Sequence, residues 1–446
     1  MIDTSEVAKC KSNASYALTV NTQKEPKRTH CKLPAIGQQM LDSIFSGITI
    51  SNIMYSQSFT PVELYRCTTQ AERRNLGLTK EQLIEAIGLE LKNAIAKGNY
   101  KFLFKKNGEL FLNGQVKGTM AYLCQDLILR KLHRNIKRIY SVQQADRNTI
   151  VKQMKILLNE DVDMRIVRLD VRHFYDSINR KNILAKLVDD ARLSYQSLML
   201  IQTLFSDSSI SANSGLPKGL GISAVLSELY MKYFDLDFKK IDGVYYYARF
   251  VDDIIVFCSS GASQELSWKY AHDELEKLGL EFNKEKSYKM NPKQPDNSFT
   301  YLGYSFQFVN NKLNVAISQK KLKVIKTRIT KAFVRFSKEH DFDLLKLRIK
   351  FLTGNFTLYA PHTLQPIKVG IYFNYKMAND VSSLKDLDKY FQRILHCRTG
   401  SLGSAITLSK VQVKNLEKYS FYFGYTNHVN HYFTTSQMVN IANCWR

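Results

Sequence analysis

The run from Tyr247 to Phe257 constrains the fold of this chain most, because it places two adjacent carboxylates inside an apolar, aromatic and β-branched stretch. This pattern predicts two strands joined by a tight turn, with Asp252 and Asp253 at or near the turn. Two neighbouring acids are costly to bury unless a cation neutralises them. The pair therefore indicates a divalent-metal site, although an Asp-Asp pair at a turn is more often simply solvated.

The composition favours a globular protein with a polyanionic partner. The chain has 446 residues, of which 44% are apolar and 12% aromatic, so we expect two or three domains with substantial cores. Its 64 Lys and Arg against 40 Asp and Glu leave a net charge of +24, which indicates nucleic acid first and a membrane surface second.

The chain shows no signal for a membrane or for secretion. It has no uncharged apolar stretch of about 18 residues and no apolar signal core at its start, so we expect neither a span nor export. The 7 cysteines are scattered without a CxxC spacing, which favours a reducing cytosol over a structural zinc. We therefore expect a cytoplasmic protein without a membrane partner.

Local patterns predict a flexible polar arm over residues 1–48 and then mostly helices around a mixed central region. The predicted elements are, in chain order, a helix opening at Thr60, a helix from Thr79 to about Ala96, a hairpin over 101–112, a helical region over 120–158, a strand over Arg165–Val171, helices over 179–189, Ile222–Phe234 and 262–278, a strand near 299–308, and mainly helix after Ile317.

Residues Lys320–Lys338 predict a basic amphipathic helix, because the segment contains 8 basic residues and no acid. Its apolar residues recur at helical spacing, so one face would pack inward while the other meets phosphate. A merely solvated basic face is the alternative. The candidate nucleic-acid contacts are Lys320, Lys323, Arg328, Lys331 and Arg335.

Five segments between residues 169 and 304 resemble, in order and spacing, the palm motifs of reverse transcriptases. They are Leu169–Ile178, Gly215–Gly219 with the helix that follows, Phe250–Asp253, Glu281–Lys286 and Tyr301–Tyr304. The resemblance implies an α+β right-hand polymerase. It has fingers over 49–163, an antiparallel-sheet palm over 164–309, and a helical thumb with a helical C-terminal extension over 310–446.

The resemblance also implies nucleotidyl transfer with two Mg²⁺ ions, or with Mn²⁺ in their place. Mg²⁺ prefers carboxylate oxygens, and neighbouring strands of one sheet would bring Asp170 to Asp252. We assign Asp170, Asp252 and Asp253 as catalytic metal ligands, with Asp253 completing or orienting the set. Lys286 resembles the lysine that can protonate the departing pyrophosphate, and a solvated lysine is its alternative.

Tyr175 matches the family aromatic that packs against the incoming sugar and excludes a 2′-hydroxyl, which implies dNTP substrates. Phe174 is the rival for this role, and ordinary core packing is the alternative. Arg147 resembles a fingers arginine near the triphosphate, or else a plain surface residue. The two glycines of the turn permit close backbone approach to nucleotide or template. The predicted nucleotide-binding set is Tyr175, Phe174, Arg147, Gly215, Pro217, Lys218 and Gly219, and the predicted primer grip is Tyr301, Leu302, Gly303 and Tyr304.

Lys218 departs from the family pattern. Many reverse transcriptases carry Gln at this position and follow it with Ser-Pro, whereas this chain continues with residues 221–224, Gly-Ile-Ser-Ala. The departure puts conventional selection of nucleotide and template in question, but not the chemistry.

Two C-terminal segments, Leu344–Phe356 and Val369–Tyr375, resemble the helical region of bacterial abortive-infection and defence-associated reverse transcriptases. Gln57–Phe59 and Leu64–Gln70 resemble the smaller polymerases of the type-three defence systems, which pair two polymerases with a non-coding RNA. The implied protein is an antiviral reverse transcriptase of the bacterial cytoplasm. Its implied partners are a non-coding RNA template, dNTPs, a DNA product, a second reverse transcriptase subunit and a further copy of itself.

Three alternatives stay open at this point. The first is template-independent or protein-primed DNA synthesis, as in some abortive-infection relatives. The second is a non-catalytic RNA-binding scaffold with a degenerate palm, and the third is a polymerase of a mobile element.

Overall fold

The structure, a computed structural model, describes residues 55–445 except 213, 295–296 and 360–365. The described residues form a mixed α+β fold, as the sequence predicts. The flexible arm predicted over residues 1–48 lies outside them.

Helices dominate both ends of the described chain, and strands concentrate in its middle. The helices are α1 (Pro61–Tyr65), α2 (Gln70–Leu76), α3 (Lys80–Leu91), α4 (Met120–Ile139), α5 (Arg147–Leu158), α6 (Phe174–Ser177), α7 (Arg180–Asp189), α8 (Tyr195–Ser206), α9 (Ser208–Ser211), α10 (Gly221–Phe238), α11 (Gly261–Lys277), α12 (Gln319–Glu339), α13 (Phe342–Thr353), α14 (Ile371–Tyr375), α15 (Ser382–Leu395), α16 (Gly400–Ala405), α17 (Lys410–Glu417), α18 (Phe421–Thr426) and α19 (Thr435–Ala442). The strands are β1 (Phe104–Asn107), β2 (Leu110–Asn113), β3 (Arg165–Asp170), β4 (Val244–Phe250), β5 (Asp253–Cys258), β6 (Tyr288–Met290), β7 (Ser298–Tyr301), β8 (Tyr304–Val309), β9 (Lys312–Ile317), β10 (Asn355–Tyr359) and β11 (Pro366–Gly370).

The helix predicted from Thr79 begins as expected but ends early. Thr79 accepts a hydrogen bond from the backbone of Gln82, whose side chain bonds back, and this capping box starts α3. Lys92 takes a left-handed conformation with φ 43°. The helix therefore ends at Leu91, and the prediction that it reaches Ala96 is wrong.

Two other predicted elements are each divided in two. The helical region over 120–158 breaks because Ser141 has a φ of 50°, and Asp146 then caps α5 as a new helix. The strand predicted near 299–308 reverses at Leu302-Gly303, where both residues have positive φ, and forms the β7–β8 hairpin. Both errors arise where left-handed backbone, invisible to periodicity, interrupts the pattern.

The central sheet has four antiparallel strands in the order β4-β5-β3-β6. Ile166, Val167 and Leu169 of β3 are completely buried. On one face α11 covers the sheet, and its Gln264 donates hydrogen bonds to carbonyls of both β3 and β6. Strand β3 thus pairs with a strand on each edge and packs against α11. A side chain at its C-terminal end is therefore held in a fixed position.

The C-terminal part surrounds the long helix α12. All five apolar residues that predicted this helix are buried: Leu322, Ile325, Ile329, Phe333 and Phe336. They pack α12 against α13 and α15. The β10–β11 hairpin interrupts this helical part and was not predicted. Within the part of the chain that the structure describes, no helix is long and apolar enough to cross a membrane.

The attachment of α18 to the end of α13 can be tested at Gly424. A Cβ at this position would overlap the backbone carbonyl of Thr353. We expect Gly424→Ala to lower the free energy of unfolding by about 1–3 kcal/mol, measured by urea denaturation. The control is Gly261→Ala at the start of α11, where a Cβ meets nothing within 4 Å and stability should not fall. Equal stability of the two variants would refute the packing of α18 on Thr353.

Candidate active site

The sheet register brings three carboxylates to one end of the central sheet. Asp170 is the last residue of β3 and lies directly opposite Asp253, the first residue of β5. Asp252 precedes it in the β4–β5 turn, and its carbonyl accepts a hydrogen bond of 3.1 Å from the backbone of Val171. The structure therefore places Asp170 at the end of β3 and Asp252 in the turn that leads into the neighbouring strand β5.

Two basic side chains compensate the negative charge of these acids. The Lys286 ammonium lies 3.1 and 3.3 Å from the two carboxylate oxygens of Asp170. The Arg168 guanidinium lies 3.5 Å from Asp253. Burial opposes the charge of Arg168, but the Tyr288 hydroxyl and the charges of Asp253 and Asp170 raise its pKa above the ordinary value. The site thus sets one basic side chain beside Asp170 and another beside Asp253.

The donor chemistry of the site fits Mg²⁺, although the aspartates do not form a ready cage. Among the described residues, no group of three or more His, Cys, Asp or Glu side chains has the geometry to hold a metal ion. Mg²⁺ is usually bound through one or two carboxylates, with water and substrate phosphates completing its shell. Asp170 and Asp252 suit that mode, and Asp253, beside Arg168, suits an orienting role.

The turn that carries Asp252 has a strained backbone. Val251 is buried and has a φ of 61°, which is rare for a β-branched residue and costs of the order of 1–3 kcal/mol. Three successive carbonyls of this turn accept hydrogen bonds from different elements. The donors are Arg249 Nη1 to Val251 (3.1 Å), the Val171 backbone to Asp252 (3.1 Å) and the Tyr301 hydroxyl to Asp253 (3.0 Å).

Sequence reasoning missed the part that Arg249 plays in this turn. A single arginine inside an otherwise apolar strand is itself a signal, since a buried charge requires a partner. That signal does not identify the partners, which lie on α10 and are known only from the structure.

The Gly215–Gly219 turn packs on the chain's own backbone. The Leu216 N–H donates to the Tyr175 carbonyl (2.7 Å), and a Cβ at Gly215, whose φ is 72°, would overlap this segment. On the other side, the Phe111 N–H of β2 donates to the Lys218 carbonyl (2.7 Å). The expected approach of both glycines to nucleotide or template stays a prediction. They allow the turn to lie between β2 and α6.

The Lys218 side chain joins the same two neighbours. Its ammonium lies 2.7 Å from Asp176 and 3.1 Å from Glu109 at the tip of the β1–β2 hairpin. Partial burial opposes the charge, but these two carboxylates raise the pKa of Lys218 above its ordinary value. The neighbouring Pro217 carbonyl accepts a hydrogen bond of 2.6 Å from Ser223 of α10. The residue that departs from the family pattern therefore links its own turn to α6 and to the β1–β2 hairpin.

The structure separates the two aromatic candidates for contact with the sugar. Phe174 is buried in the core, whereas Tyr175 is only partly buried. Burial, with the nearby Glu228 and Asp252 charges, raises the pKa of Tyr175 to about 12 against an opposing contribution from Ser227. Tyr175 is therefore a neutral phenol beside a candidate catalytic acid, which makes it the better placed of the two.

Arg147 lies neither on a plain surface nor in an open position for a triphosphate. Its Nε and Nη2 donate to the Leu302 carbonyl (2.9 and 2.7 Å), and its Nη1 donates to the Asn374 carbonyl (2.8 Å). Its guanidinium also lies over the ring of Tyr304 at 5.0 Å. A role at the triphosphate would require these bonds to break. Tyr301 and Tyr304 of the predicted primer grip are fully buried, so their turn at Leu302-Gly303 is what remains accessible.

Of the five candidate nucleic-acid contacts on α12, four are exposed and Arg328 is partly buried. Arg328 lies over the ring of Trp445 at 5.9 Å, and Arg335 pairs with Glu339 at 2.6 Å. The exposed members are Lys320, Lys323, Lys331 and Arg335. The basic face predicted for this helix is present, with Arg328 only partly exposed.

Residues 116–306 match the family described as reverse transcriptase (RNA-dependent DNA polymerase). The match covers less than half of the chain and includes Asp170, Asp252, Asp253 and the Gly215–Gly219 turn. The chain therefore carries a reverse transcriptase domain, the catalytic domain of RNA-directed nucleotidyltransferases. The prediction of this enzyme class is confirmed at that level.

Solved structures similar to this chain include telomerases from Candida. Apo telomerase from Candida tropicalis truncated from the C-terminal domain is 15% identical with a TM-score of 0.33, covering 48% of this chain and 54% of its own. Telomerase from Candida albicans in complex with a TWJ fragment of telomeric RNA is 12% identical with a TM-score of 0.35, covering 77% and 62%.

The chain spans about half the length of the first of these telomerases. No curated protein sequence matches this chain.

The anchoring of the turn by Tyr301 can be tested by removing one hydroxyl. We expect Tyr301→Phe to cost about 1–3 kcal/mol of stability, because the Asp253 carbonyl loses the donor of a partly buried hydrogen bond. It should also weaken Mn²⁺ binding measured by electron paramagnetic resonance. The control is Tyr425→Phe, which removes a similar buried bond of 3.1 Å to the Tyr375 carbonyl. A matching loss of Mn²⁺ affinity in both variants would contradict a specific role for Tyr301.

Proposed function

We propose that the protein is an RNA-directed DNA polymerase of the right-hand type. Its palm would comprise residues 164–309, its fingers 49–163, and its thumb with a helical extension 310–446. The observation that carries the proposal is the position of Asp170 opposite Asp253 with Asp252 in the adjoining turn, inside the matched reverse transcriptase domain.

The site residues suit extension of a DNA strand from dNTPs. Asp170 and Asp252 would hold two Mg²⁺ ions, and the chemistry these ions would supply is activation of the primer 3′-hydroxyl and stabilisation of the leaving pyrophosphate. Lys286, 3.1 Å from Asp170, would give a proton to that leaving group. Tyr175 supplies a neutral, rigid ring for packing against the sugar. The exposed lysines of α12 supply positive charge for the template–primer backbone.

We further propose that the template is a non-coding RNA and that the protein acts in phage defence in the bacterial cytoplasm. The net charge of +24 supports a nucleic-acid partner. The defence role rests on the resemblance of the segments around residues 344–375 and 57–70 to defence-associated reverse transcriptases. The same resemblance supports a second reverse transcriptase subunit as partner.

Protein-primed or template-independent synthesis is the enzymatic alternative. Phenol extraction before and after protease digestion distinguishes it, because DNA linked to a tyrosine partitions with protein until the protein is digested. Product that stays in the aqueous phase, and whose yield depends on the copurifying RNA, supports the templated reaction. A non-catalytic scaffold would incorporate no dNTP on any template.

Removal of either central carboxylate tests the chemistry. We expect Asp252→Ala and Asp170→Ala each to reduce dNTP incorporation by at least about 1,000-fold, because each removes a proposed metal ligand. RNA affinity, measured by filter binding, should stay close to wild type. The matched control is Asp242→Ala, an exposed aspartate before β4 that should keep full activity. Incorporation by the double variant Asp170→Ala/Asp252→Ala would refute the mechanism.

Sugar selection tests the role of Tyr175. We expect Tyr175→Ala to raise the ratio of rNTP to dNTP incorporation by at least about tenfold, because the ring no longer occupies the space near C2′. Tyr175→Phe should keep the wild-type ratio, since the ring and not the hydroxyl excludes the ribose. The measurement is single-nucleotide incorporation with each substrate. If both variants discriminate as wild type does, Tyr175 is not the selecting residue.

A further inference from the structure

A buried ionic cluster lies directly behind the turn that carries Asp252. It consists of Arg249 on β4, Glu228 and Asp235 on α10, and the Tyr247 hydroxyl, which donates to Asp235 at 2.5 Å. Arg249 is 6% exposed and Glu228 is 9% exposed. Because this cluster holds charges away from water, it is stable only if its charged groups have well-placed ion-pair and hydrogen-bond partners.

Every N–H of the Arg249 guanidinium is used in this cluster. Nε and Nη2 bind the two oxygens of Asp235 at 2.8 and 2.6 Å, while Nη2 and Nη1 bind those of Glu228 at 2.6 and 3.2 Å. The fifth N–H, on Nη1, donates to the Val251 carbonyl at 3.1 Å. Two carboxylates thus fix the plane of the guanidinium and direct its last donor at the turn. A lysine, with three donors on a single nitrogen, cannot reproduce this fork.

The receiving carbonyl belongs to the strained residue of the turn. Val251 holds a left-handed backbone that a β-branched residue rarely adopts, and it immediately precedes Asp252. Such a conformation persists only where its surroundings determine it. Three donors bind the successive carbonyls of residues 251–253. Among these three, Arg249 is the charged donor, and it binds the carbonyl of the strained residue Val251.

We propose that Arg249 is a positioning residue that sets the place of the Asp252 carboxylate by holding the left-handed Val251 from behind, with α10 as its support. The inference rests on the proposed polymerase function, because it concerns the same metal site. Arg249 faces α10 and acts on the metal ligand only through the backbone of the turn. Loss of the Arg249 guanidinium should therefore weaken metal binding beyond what the loss of folding stability alone would cause.

The experiment compares Mn²⁺ affinity and thermal stability in the full-length chain. We expect Arg249→Lys to lower Mn²⁺ affinity, measured by electron paramagnetic resonance, by about tenfold or more, as loss of a supporting residue commonly does. High Mg²⁺ should restore much of the incorporation rate. The matched control is Arg348→Lys on α13, a buried arginine 3.4 Å from Glu339, which should keep wild-type Mn²⁺ affinity whatever its stability.

A second variant separates positioning from general stability. Glycine adopts the φ of Val251 without strain, so Val251→Gly should partly relieve the need for Arg249. In Arg249→Lys/Val251→Gly, the loss of affinity should be smaller than the product of the two single losses. Glu228→Gln, which keeps the side-chain volume, should lower Mn²⁺ affinity less than Arg249→Lys does. It replaces Arg249→Lys in the test if Arg249→Lys does not fold.

The outcomes distinguish this inference from the proposed function. Wild-type Mn²⁺ affinity in Arg249→Lys, or in Glu228→Gln where Arg249→Lys does not fold, would overturn the inference alone. The inference would also be overturned if the loss of Mn²⁺ affinity in Arg249→Lys/Val251→Gly equals the product of the losses in the two single variants. A wild-type protein that binds no Mn²⁺ and incorporates no dNTP would overturn both.

Discussion

The antiparallel register of β3 with β5 is the constraint on which the site depends. It places Asp170 opposite Asp253, and the β4–β5 turn then brings Asp252 alongside. Since successive side chains of a strand point to opposite faces, a shift of one residue would direct the Asp170 and Asp253 carboxylates to opposite faces of the sheet. Burial of β3 from both edges resists such a shift, so the hydrophobic pattern of this strand also serves the chemistry.

The helix α10 connects the parts of the site that are distant in sequence. Its Glu228 and Asp235 hold Arg249 behind the turn, and its Ser223 binds the carbonyl of Pro217 in the glycine-rich turn. That turn in turn packs on the backbone of Tyr175. One helix therefore supports the candidate metal ligand, the candidate sugar contact and the turn between them, so their relative positions depend on a single rigid body.

The sequence predicts those features that depend on local pattern. The apolar, aromatic and β-branched run over residues 247–257 predicts the hairpin, and helical spacing predicts the buried face of α12. The partners of side chains that act across the fold could not be predicted. Arg147 binds carbonyls 155 and 227 positions away, and no spacing rule identifies such contacts. The same holds for Lys218, whose partner Glu109 lies 109 positions away, and for the left-handed residue Ser141 that divides a predicted helix.

In the proposed mechanism, Asp170 and Asp252 jointly hold the ions for nucleotidyl transfer. Anomalous diffraction from crystals of the full chain with template–primer, a non-hydrolysable dNTP and Mn²⁺ would locate those ions directly. We expect two Mn²⁺ peaks about 4 Å apart, both within coordination distance of the Asp170 and Asp252 carboxylates. Peaks bound only to the nucleotide, with neither carboxylate as a ligand, would contradict it.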